Sequence, residues 1–218
     1  ANTSGVLSEI QEYYNYNFRP NLILPNLIDD MPSNYPIKRK KQLVIAGNLS
    51  YLKGHDYLIK QFEELLMWDS EMKLIIIGDG LEKNKLITKY SYLVDSGHVV
   101  FTGKLSRDVT LYYIQESLVH ISASIREAFG FVSIEALMLS IPILCTKTSG
   151  SKFILKENFN GEFFNLYDKK SLYESLRTIL QNWEKYSNNA RIDFLERFSL
   201  NNKIQTHASL ILKKINAL

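Results

Sequence analysis

The stretch from residue 119 to residue 150 constrains the fold of this chain more than any other. Residues 118 to 121 form a short apolar run that predicts a buried strand, and a helix-like pattern at residues 129 to 139 follows a polar turn. Ile141 and Pro142 end that helix, and residues 143 to 145 are apolar again. Strand, loop, helix and strand in this order make one right-handed crossover unit of a parallel sheet.

The same alternation continues on both sides of this stretch. Apolar runs predict further strands at residues 21 to 24, 42 to 46, 74 to 77, 99 to 101 and 162 to 164. Helices are predicted at residues 6 to 16, 58 to 66, 81 to 94, 107 to 117, 152 to 157, 172 to 180 and 204 to 215. Near-continuous apolar strands between helices are typical of a parallel sheet covered on both faces. The sequence therefore predicts an α/β fold with a doubly wound parallel sheet.

Composition excludes several classes of protein. Hydrophobic residues make up 45% and charged residues 22% of the 218 residues, as in ordinary globular domains. The net charge of +3 is too small to indicate a nucleic-acid partner. Cys145 is the only cysteine, and no apolar run approaches the roughly 18 residues of a membrane span. Because the N-terminus also lacks a signal-peptide pattern, the expectation is a soluble cytoplasmic protein.

Residues 29 to 41 have the composition of a linker. Pro32 and Pro36 are followed by four consecutive basic residues at positions 38 to 41. The basic run could touch anionic lipid at the inner face of the membrane. It could also be a solvated lead-in to the next strand.

The strongest candidate ligand site lies at the start of the helix predicted at residues 129 to 139. Ligands of parallel sheets bind beyond the carboxyl ends of the strands, where loops meet helix N-termini. Glu127 and Glu135 can both border such a crevice if Glu127 lies in the loop before the helix, and their carboxylates can accept hydrogen bonds from sugar hydroxyls. The backbone N–H groups near this helix start could hold a phosphate, helped by the helix dipole, and they belong to Phe129, Gly130, Phe131 and Val132.

A structural interpretation of the same residues stays open. Ser124 and Glu127 fit the capping-box pattern, in which a serine and a glutamate three residues later satisfy the first N–H groups of a helix. Glu135 could equally be a solvated helix residue. If both glutamates lay on one helix, their eight-residue spacing would turn them about 80° apart, so they would not share a face.

Two other strand-to-helix loops carry candidate residues. Gly47 allows close backbone approach, and Lys53 stands where an ammonium could contact a phosphate, although a loop lysine can also be simply solvated. Gly78 and Gly80 follow another strand. Because Lys83 occupies the third glycine position of a dinucleotide-binding fingerprint, an ordinary tight turn is the expectation there.

Nothing in the sequence forms a covalent-catalysis constellation or a metal site. His55, His98, His120 and His207 are scattered and show no metal-ligand spacing. Cys145 lies in an apolar strand, so it is expected to be a core residue.

Taken together, these motifs resemble the C-terminal half of a GT-B glycosyltransferase from the large retaining family GT4. The family's run of serine, E-x-F-G, an apolar pair and E-A is matched at residues 124 to 136, and its G-R-L-x-x-x-K-G at residues 47 to 54. Further matches fall at residues 78 to 80, 99 to 103, 140 to 150 and 160 to 161, so that the resemblance covers roughly residues 21 to 217. Asn48 replaces the family's arginine, and Ser140 replaces a common glycine.

The resemblance implies a metal-free site, without cofactor, for a nucleotide sugar that is expected to be UDP-linked. Glu135 would bind the ribose and Glu127 the donor sugar, while Lys53 would hold the diphosphate. The loop of Gly103, Lys104 and Leu105 would face the base. The remaining donor-binding residues would be Gly47, Asn48, Gly78, Phe129, Gly130, Phe131 and Val132.

The resemblance also implies a division into domains and a function. Residues 1 to 36 would be a remnant of an N-terminal domain with the interdomain linker, residues 37 to 198 the Rossmann-like donor domain, and residues 199 to 218 a C-terminal amphipathic helix. A glycan or lipid-linked acceptor would bind the missing N-terminal domain, in the assembly of surface polysaccharide or lipid-linked oligosaccharide. Two alternatives are a sugar-nucleotide epimerase of the same fold and a non-catalytic subunit that holds the donor for a partner.

Overall fold

The computed structural model describes residues 24–31 and 38–215, together with Ser8 and Glu12. The helix predicted at residues 6 to 16 and the strand predicted at residues 21 to 24 lie almost entirely outside these residues, as do the prolines of the expected linker. Within the described chain, six strands alternate with nine α-helices.

The bounds of these elements follow the predicted alternation. The strands are β1 (Gln42–Ala46), β2 (Lys73–Ile77), β3 (Val99–Gly103), β4 (Val119–Ser122), β5 (Ile143–Cys145) and β6 (Gly161–Phe163). The helices are α1 (His55–Leu66), α2 (Lys83–Lys89), α3 (Ser91–Asp95), α4 (Arg107–Glu116), α5 (Phe131–Met138), α6 (Ser149–Ile154), α7 (Ser171–Gln181), α8 (Trp183–Arg197) and α9 (Leu200–Ile215).

The six strands form one parallel sheet in the order β3-β2-β1-β4-β5-β6. In β1, Val44 is in register with Ile75 of β2 on one side and with His120 of β4 on the other. The chain therefore winds outwards from β1 in one direction, returns to β4 and winds outwards in the other. This confirms the predicted doubly wound α/β fold and places its switch point between β1 and β4, where ligands of such folds bind.

Two apolar layers cover the sheet because successive side chains of each strand point to opposite faces. Leu43 of β1 packs with Phe62 of α1 on one face, and Val44 packs with Ile134 of α5 and Phe194 of α8 on the other. All five side chains are fully buried. Full burial of one such side chain contributes about 1.5–3 kcal/mol, so these layers hold the strand ends in fixed positions.

Two helix predictions need correction, and one helix was not predicted. The helix predicted at residues 81 to 94 is two helices, α2 and α3, separated at Tyr90, whose backbone leaves the helical region. The helix predicted at residues 152 to 157 is α6, which begins at Ser149 because Thr148 caps it. Helix α8 was missed, although Tyr186, Ala190 and Phe194 form a buried stripe at every fourth residue. Polar Ser187 and Asp193 are buried beside this stripe and Ile192 is 46% exposed, so the apolar period of the helix is weak.

The segment before β1 is tied to the end of the domain. Asp30 forms two 2.7 Å hydrogen bonds with the guanidinium of Arg191 in α8. Ile28 N–H donates to the carbonyl oxygen of Phe198 at 3.0 Å, and Leu200 N–H donates to Ile28 at 2.9 Å. These contacts join residues far apart in sequence.

Three members of the basic run contact the domain itself. Lys40 pairs with Glu116 at 2.6 Å, and Lys41 pairs with Glu71 at 2.8 Å. The Arg39 guanidinium lies 4.3 Å from the ring centroid of Trp183. These partners favour the interpretation of the run as a lead-in to β1.

Candidate functional site

Two neighbouring cavities open at the carboxyl ends of the central strands. The β1/β4 cavity, of about 450 Å³, lies between β1, β4 and the start of α5. The β1/β2 cavity, of about 610 Å³, lies between the loops that follow β1, β2 and β3. The cavities share Ala46, Gly47, Asn48 and Val132, so they form one continuous crevice. Its volume and its place at the switch point suit a small-molecule ligand.

Lys53 and Glu127 form an ion pair in the wall of the β1/β4 cavity. Lys53 Nζ contacts Glu127 Oε2, and the two side chains are only 31% and 21% exposed. The Ser124 hydroxyl donates to the same carboxylate oxygen at 3.3 Å. Lys53 ends a short 3-10 turn, and Gly54 then takes a left-handed φ of 67° and starts α1. The charges of Lys53 and Glu127 therefore neutralise each other in the cavity wall.

Glu127 lies in a loop and not at a helix N-terminus. Helix α5 begins only at Phe131, after Gly130 with a left-handed φ of 96°. The capping-box interpretation of Ser124 and Glu127 is therefore wrong. Because Gly130 has no side chain to cap α5, the helix presents an uncapped N-terminus beside Glu127, with Phe131 and Val132 lining the β1/β4 cavity. Such an N-terminus carries a partial positive charge that favours an anion.

Helix α6 supports the Glu127 loop from behind. Gly150 N–H donates to the backbone oxygen of Glu127 at 2.8 Å. A Cβ atom at Gly150 would lie 2.6 Å from the backbone nitrogen of Phe129, so only glycine permits this approach. Thr148 and Ser151 form a capping box that fixes where α6 begins. The capping box of this region thus lies at the start of the helix whose Gly150 contacts the Glu127 loop.

Gly78 joins the loop after β2 to the loop after β1. A Cβ atom at Gly78 would lie 1.9 Å from the carbonyl oxygen of Gly47, and Leu49 N–H donates to Asp79 at 2.9 Å. Gly78 was expected to form an ordinary tight turn. It instead allows a close contact between two loops, which a side chain at position 78 would block.

Six of the predicted residues line the wall of the β1/β2 cavity, namely Gly47, Asn48, Gly78, Lys104, Leu105 and Val132. Gly103, the last residue of β3, lies behind that wall and accepts a hydrogen bond from Gly78 N–H at 2.9 Å. The long polar side chains of this lining are the amide of Asn48, the ammonium of Lys104 and the carboxylate of Asp79, which is paired with Lys83.

Glu135 lies one helical turn beyond Phe131 and does not line either cavity. Its Oε1 accepts a hydrogen bond from Arg107 Nε at 2.8 Å, and its side chain is only 14% exposed. Arg107 begins α4, directly after the loop that carries Lys104 and Leu105. The sequence prediction omitted Arg107 because only the packing of α4 against α5 brings it to Glu135.

Phe129 was predicted as a ligand contact, and the structure gives it a second role. Its side chain is 4% exposed and belongs to the apolar layer under α5 and α8. It meets Phe131 edge-on, with 5.2 Å between the ring centroids. Phe131 is half-exposed at the cavity rim. Phe129 therefore anchors the loop in the core, and its backbone borders the cavity.

Two buried histidines also line the β1/β4 cavity. His55 is the first residue of α1 and His120 lies in β4, and each is 2% exposed. Within the described chain, neither ring nitrogen of His55 nor Nδ1 of His120 has a hydrogen-bond partner of good geometry. Burial lowers the pKa of both to about 4, and the charge of Lys53 adds to the effect on His55. Both imidazoles are therefore neutral at pH 7. Their spacing in the sequence does not indicate that they line the same cavity.

The remaining chemistry of the described residues is sparse. Cys145 is buried in β5, as predicted for a core residue, and burial raises its pKa to about 12. No group of three or more His, Cys, Asp or Glu side chains in the described chain could hold a metal ion. The expectation of a metal-free reaction stays a prediction. None of the described helices has both the length and the apolar character that crossing a membrane requires.

A doubly wound parallel sheet with a crevice at its switch point is the architecture of the Rossmann-like halves of GT-B glycosyltransferases. The sequence matches the family described as Glycosyl transferases group 1 over residues 28–192. The chain belongs to this family. The predicted resemblance to the C-terminal domain of a GT-B glycosyltransferase is thereby confirmed.

Curated relatives of the chain are glycosyltransferases. An uncharacterized glycosyltransferase of Methanocaldococcus jannaschii is 28% identical over 167 residues, which are 75% of this chain and 42% of the relative. N-acetylgalactosamine-N,N'-diacetylbacillosaminyl-diphospho-undecaprenol 4-alpha-N-acetylgalactosaminyltransferase of Campylobacter jejuni is 25% identical over 186 residues, which are 83% of this chain and 50% of the relative. The chain thus spans about half the length of the curated relatives that it matches.

Solved structures share the fold. HepE of Anabaena, crystallised with UDP and glucose, superposes with a TM-score of 0.77 at 19% sequence identity. The match covers 100% of this chain and 62% of that one.

Proposed function

We propose that this chain is the nucleotide-sugar-binding half of a retaining glycosyltransferase of the GT4 type, with a UDP-sugar as donor. The observation that carries the proposal is the convergence of Lys53, Glu127 and the uncapped N-terminus of α5 on one cavity. Membership of Glycosyl transferases group 1 supports it. The fold shared with HepE, whose structure holds UDP and glucose, supports the choice of donor.

Each part of the donor has a proposed partner. The diphosphate lies between Lys53 and the α5 N-terminus, where a charge-assisted hydrogen bond and the helix dipole act together. Glu127 accepts hydrogen bonds from the sugar hydroxyls. Glu135 accepts a hydrogen bond from a ribose hydroxyl through Oε2, because its Oε1 accepts from Arg107. The base lies in the β1/β2 cavity, against the loop that carries Leu105.

The reaction that we propose transfers the sugar with retention at its anomeric carbon. The bond from C1 to the diphosphate oxygen breaks, and its electron pair leaves with the diphosphate. An acceptor hydroxyl oxygen forms the new bond on the same face, and its proton passes to the leaving phosphate. Lys53 and the N-terminus of α5 stabilise the charge that develops on the diphosphate. Once the diphosphate engages Lys53, the Glu127 carboxylate is released to bind the sugar.

The acceptor side of the proposal follows from the resemblance and from the relatives. Because the chain spans about half of their length, an acceptor-binding half is proposed to complete the enzyme. The Campylobacter relative is named for a diphospho-undecaprenol acceptor, and this supports a glycan or lipid-linked acceptor here. Peripheral contact with the cytoplasmic face of a membrane is part of the same proposal.

This chain alone is expected to bind UDP but to transfer little or no sugar. Catalysis requires donor and acceptor held in register, and one half of the site cannot provide this. Radiolabelled UDP-glucose incubated with the chain and a crude lipid and glycan mixture measures the transfer. Robust transfer to an acceptor would show that the division into halves is wrong. Release of free sugar or of an epimer would favour the epimerase alternative.

Substitutions of the two glutamates are expected to weaken the binding of different ligands. Glu135→Ala should weaken plain UDP, since the ribose is part of it. Glu127→Gln should weaken an intact UDP-sugar, and plain UDP should bind at least as tightly as before, because Lys53 is released from its ion pair. Each loss should amount to about 1–3 kcal/mol. Calorimetry with uridine, UDP and a panel of UDP-, GDP- and ADP-sugars measures the affinities.

Matched variants separate binding from folding in this comparison. Glu82→Gln removes the carboxylate of a surface ion pair with Lys85 that lines neither cavity, and it should leave all affinities unchanged. Melting curves of each variant detect a loss of stability. If Glu127→Gln bound every sugar nucleotide with the affinity of the wild type, Glu127 would have no role in sugar binding. If no nucleotide bound the wild-type chain, the proposed function would be wrong.

A further inference from the structure

A third cavity, of about 480 Å³, opens at the same edge of the sheet and has no part in the proposed donor site. This β5/β6 cavity lies beyond the carboxyl ends of β5 and β6, where Lys147 and Phe163 line it. Ser124 lines both this cavity and the β1/β4 cavity, and its hydroxyl contacts Glu127. The β5/β6 cavity therefore adjoins the end of the donor crevice where the sugar is proposed to lie.

Aromatic rings and polar groups both line the walls of the β5/β6 cavity. The Tyr167 ring is 69% exposed and stands edge-on to Tyr57, with 5.3 Å between the ring centroids. Lys147 Nζ lies 5.2 Å from the ring centroid of Phe163. A pyranose ring has C–H groups on its faces and hydroxyls around its rim. The exposed ring of Tyr167, with polar side chains in the same cavity, matches both surfaces of such a ring.

Hydrogen bonds hold the turn that carries Tyr167. Asn165 Oδ1 accepts from Tyr167 N–H at 3.0 Å, and Ser171 Oγ accepts from Asn165 N–H at 2.8 Å. The carbonyl oxygen of Asn165 accepts from the buried Gln61 side chain at 2.8 Å. The aromatic wall is thus held in position before any ligand arrives, which lowers the entropic cost of binding.

The charged groups of the β5/β6 cavity are not engaged with each other. Within residues 38–215, no carboxylate lies within 4 Å of Lys147 Nζ, and the Glu157 side chain has no ion pair. The donor crevice differs, because there Lys53 and Glu127 are paired. A cavity that offers one cation and one anion suits a neutral ligand with many hydroxyls more than a phosphate, which Glu157 would repel.

We propose that the β5/β6 cavity binds the terminal pyranose of the acceptor glycan, beside the donor sugar. The inference rests on the proposed function and extends it, because it gives this half of the enzyme a share of the acceptor site. The probes are methyl α-glucopyranoside, methyl α-galactopyranoside and methyl N-acetyl-α-galactosaminide, titrated into the ¹⁵N-labelled chain. The expected result is chemical-shift change at the amides of residues 146 to 147 and 163 to 167. UDP should instead shift the amides of residues 47 to 53 and 128 to 132.

Two tyrosine variants make the test specific. Tyr167→Ala should weaken the pyranoside that binds best by about threefold to tenfold, because one aromatic contact is lost. Tyr92→Ala, at a similarly exposed tyrosine on α3, should have no effect, and both variants should keep the UDP affinity of the wild type.

Three outcomes overturn the inference. They are no pyranoside binding at the β5/β6 cavity, unchanged affinity in Tyr167→Ala, and stronger shifts of the same amides by inorganic pyrophosphate than by any pyranoside. Failure of UDP alone, with pyranoside binding intact, would count against the proposed donor function and not against this cavity as a saccharide site.

Discussion

Lys53→Ala is expected to weaken UDP binding about tenfold to a hundredfold and to leave uridine binding nearly unchanged, because a charge-assisted hydrogen bond contributes about 1.5–3 kcal/mol. Only UDP carries the diphosphate that the ammonium contacts. The variant also leaves the Glu127 carboxylate in the cavity wall without its partner. That uncompensated negative charge repels the diphosphate and increases the loss. Isothermal titration of both ligands measures the two affinities.

The double variant separates the two contributions of Lys53. If repulsion by Glu127 is part of the loss, Lys53→Ala combined with Glu127→Gln should bind UDP more tightly than Lys53→Ala alone. Lys89→Ala is the matched control, since Lys89 is also ion-paired, with Asp56, but lies outside the three cavities. Equal losses of uridine and UDP in Lys53→Ala would mean that the lysine only shapes the loop.

The free energy of unfolding is expected to fall steeply as the pH drops from 6.5 to 4. Burial lowers the pKa of His55 and His120 from an ordinary 6.5 to about 4. Between these pH values the two histidines bind protons in the unfolded chain but not in the folded chain, so acid favours unfolding. Their contribution to stability is fully present above pH 6.5 and is lost as the pH falls towards 4. A shift of this size corresponds to about 3 kcal/mol for each imidazole.

Urea unfolding at a series of pH values tests the role of the two histidines. Carboxylates also contribute to acid sensitivity, so the informative quantity is the difference between variants. His55→Leu and His120→Leu should each reduce the loss of unfolding free energy between pH 6.5 and pH 4 by about 3 kcal/mol. A pH dependence that is the same in the wild type and in both variants would contradict the assignment.

The sequence determined the fold because its signals are local. A buried parallel strand needs a continuous apolar run, and a helix on such a sheet needs an apolar stripe. Each strand of the described sheet was found within about two residues, an error typical of element boundaries. Helix α8 was missed because its buried side includes the polar Ser187 and Asp193, while the apolar Ile192 is exposed, so that its apolar period is weak.

For the candidate site, the sequence determined which loops form it. Gly47, Lys53, Glu127 and Gly130 all follow strands, and the carboxyl ends of parallel strands lie at one edge of the sheet. Their convergence on one crevice follows from chain order alone, once the doubly wound fold is accepted. Their chemical roles stay predictions.

Only the tertiary structure decided how the charged groups are paired and which of them are buried. Lys53 and Glu127 are 74 positions apart, and Arg107 and Glu135 are 28 apart. The sequence could not join them, because a contact between distant residues depends on how helices and loops pack. Desolvation is likewise a property of the surroundings, so nothing local distinguishes the buried His55 from an exposed histidine. The capping-box interpretation of Glu127 was excluded in the same way, by where α5 begins, and the ligand contact of Glu127 stays a prediction.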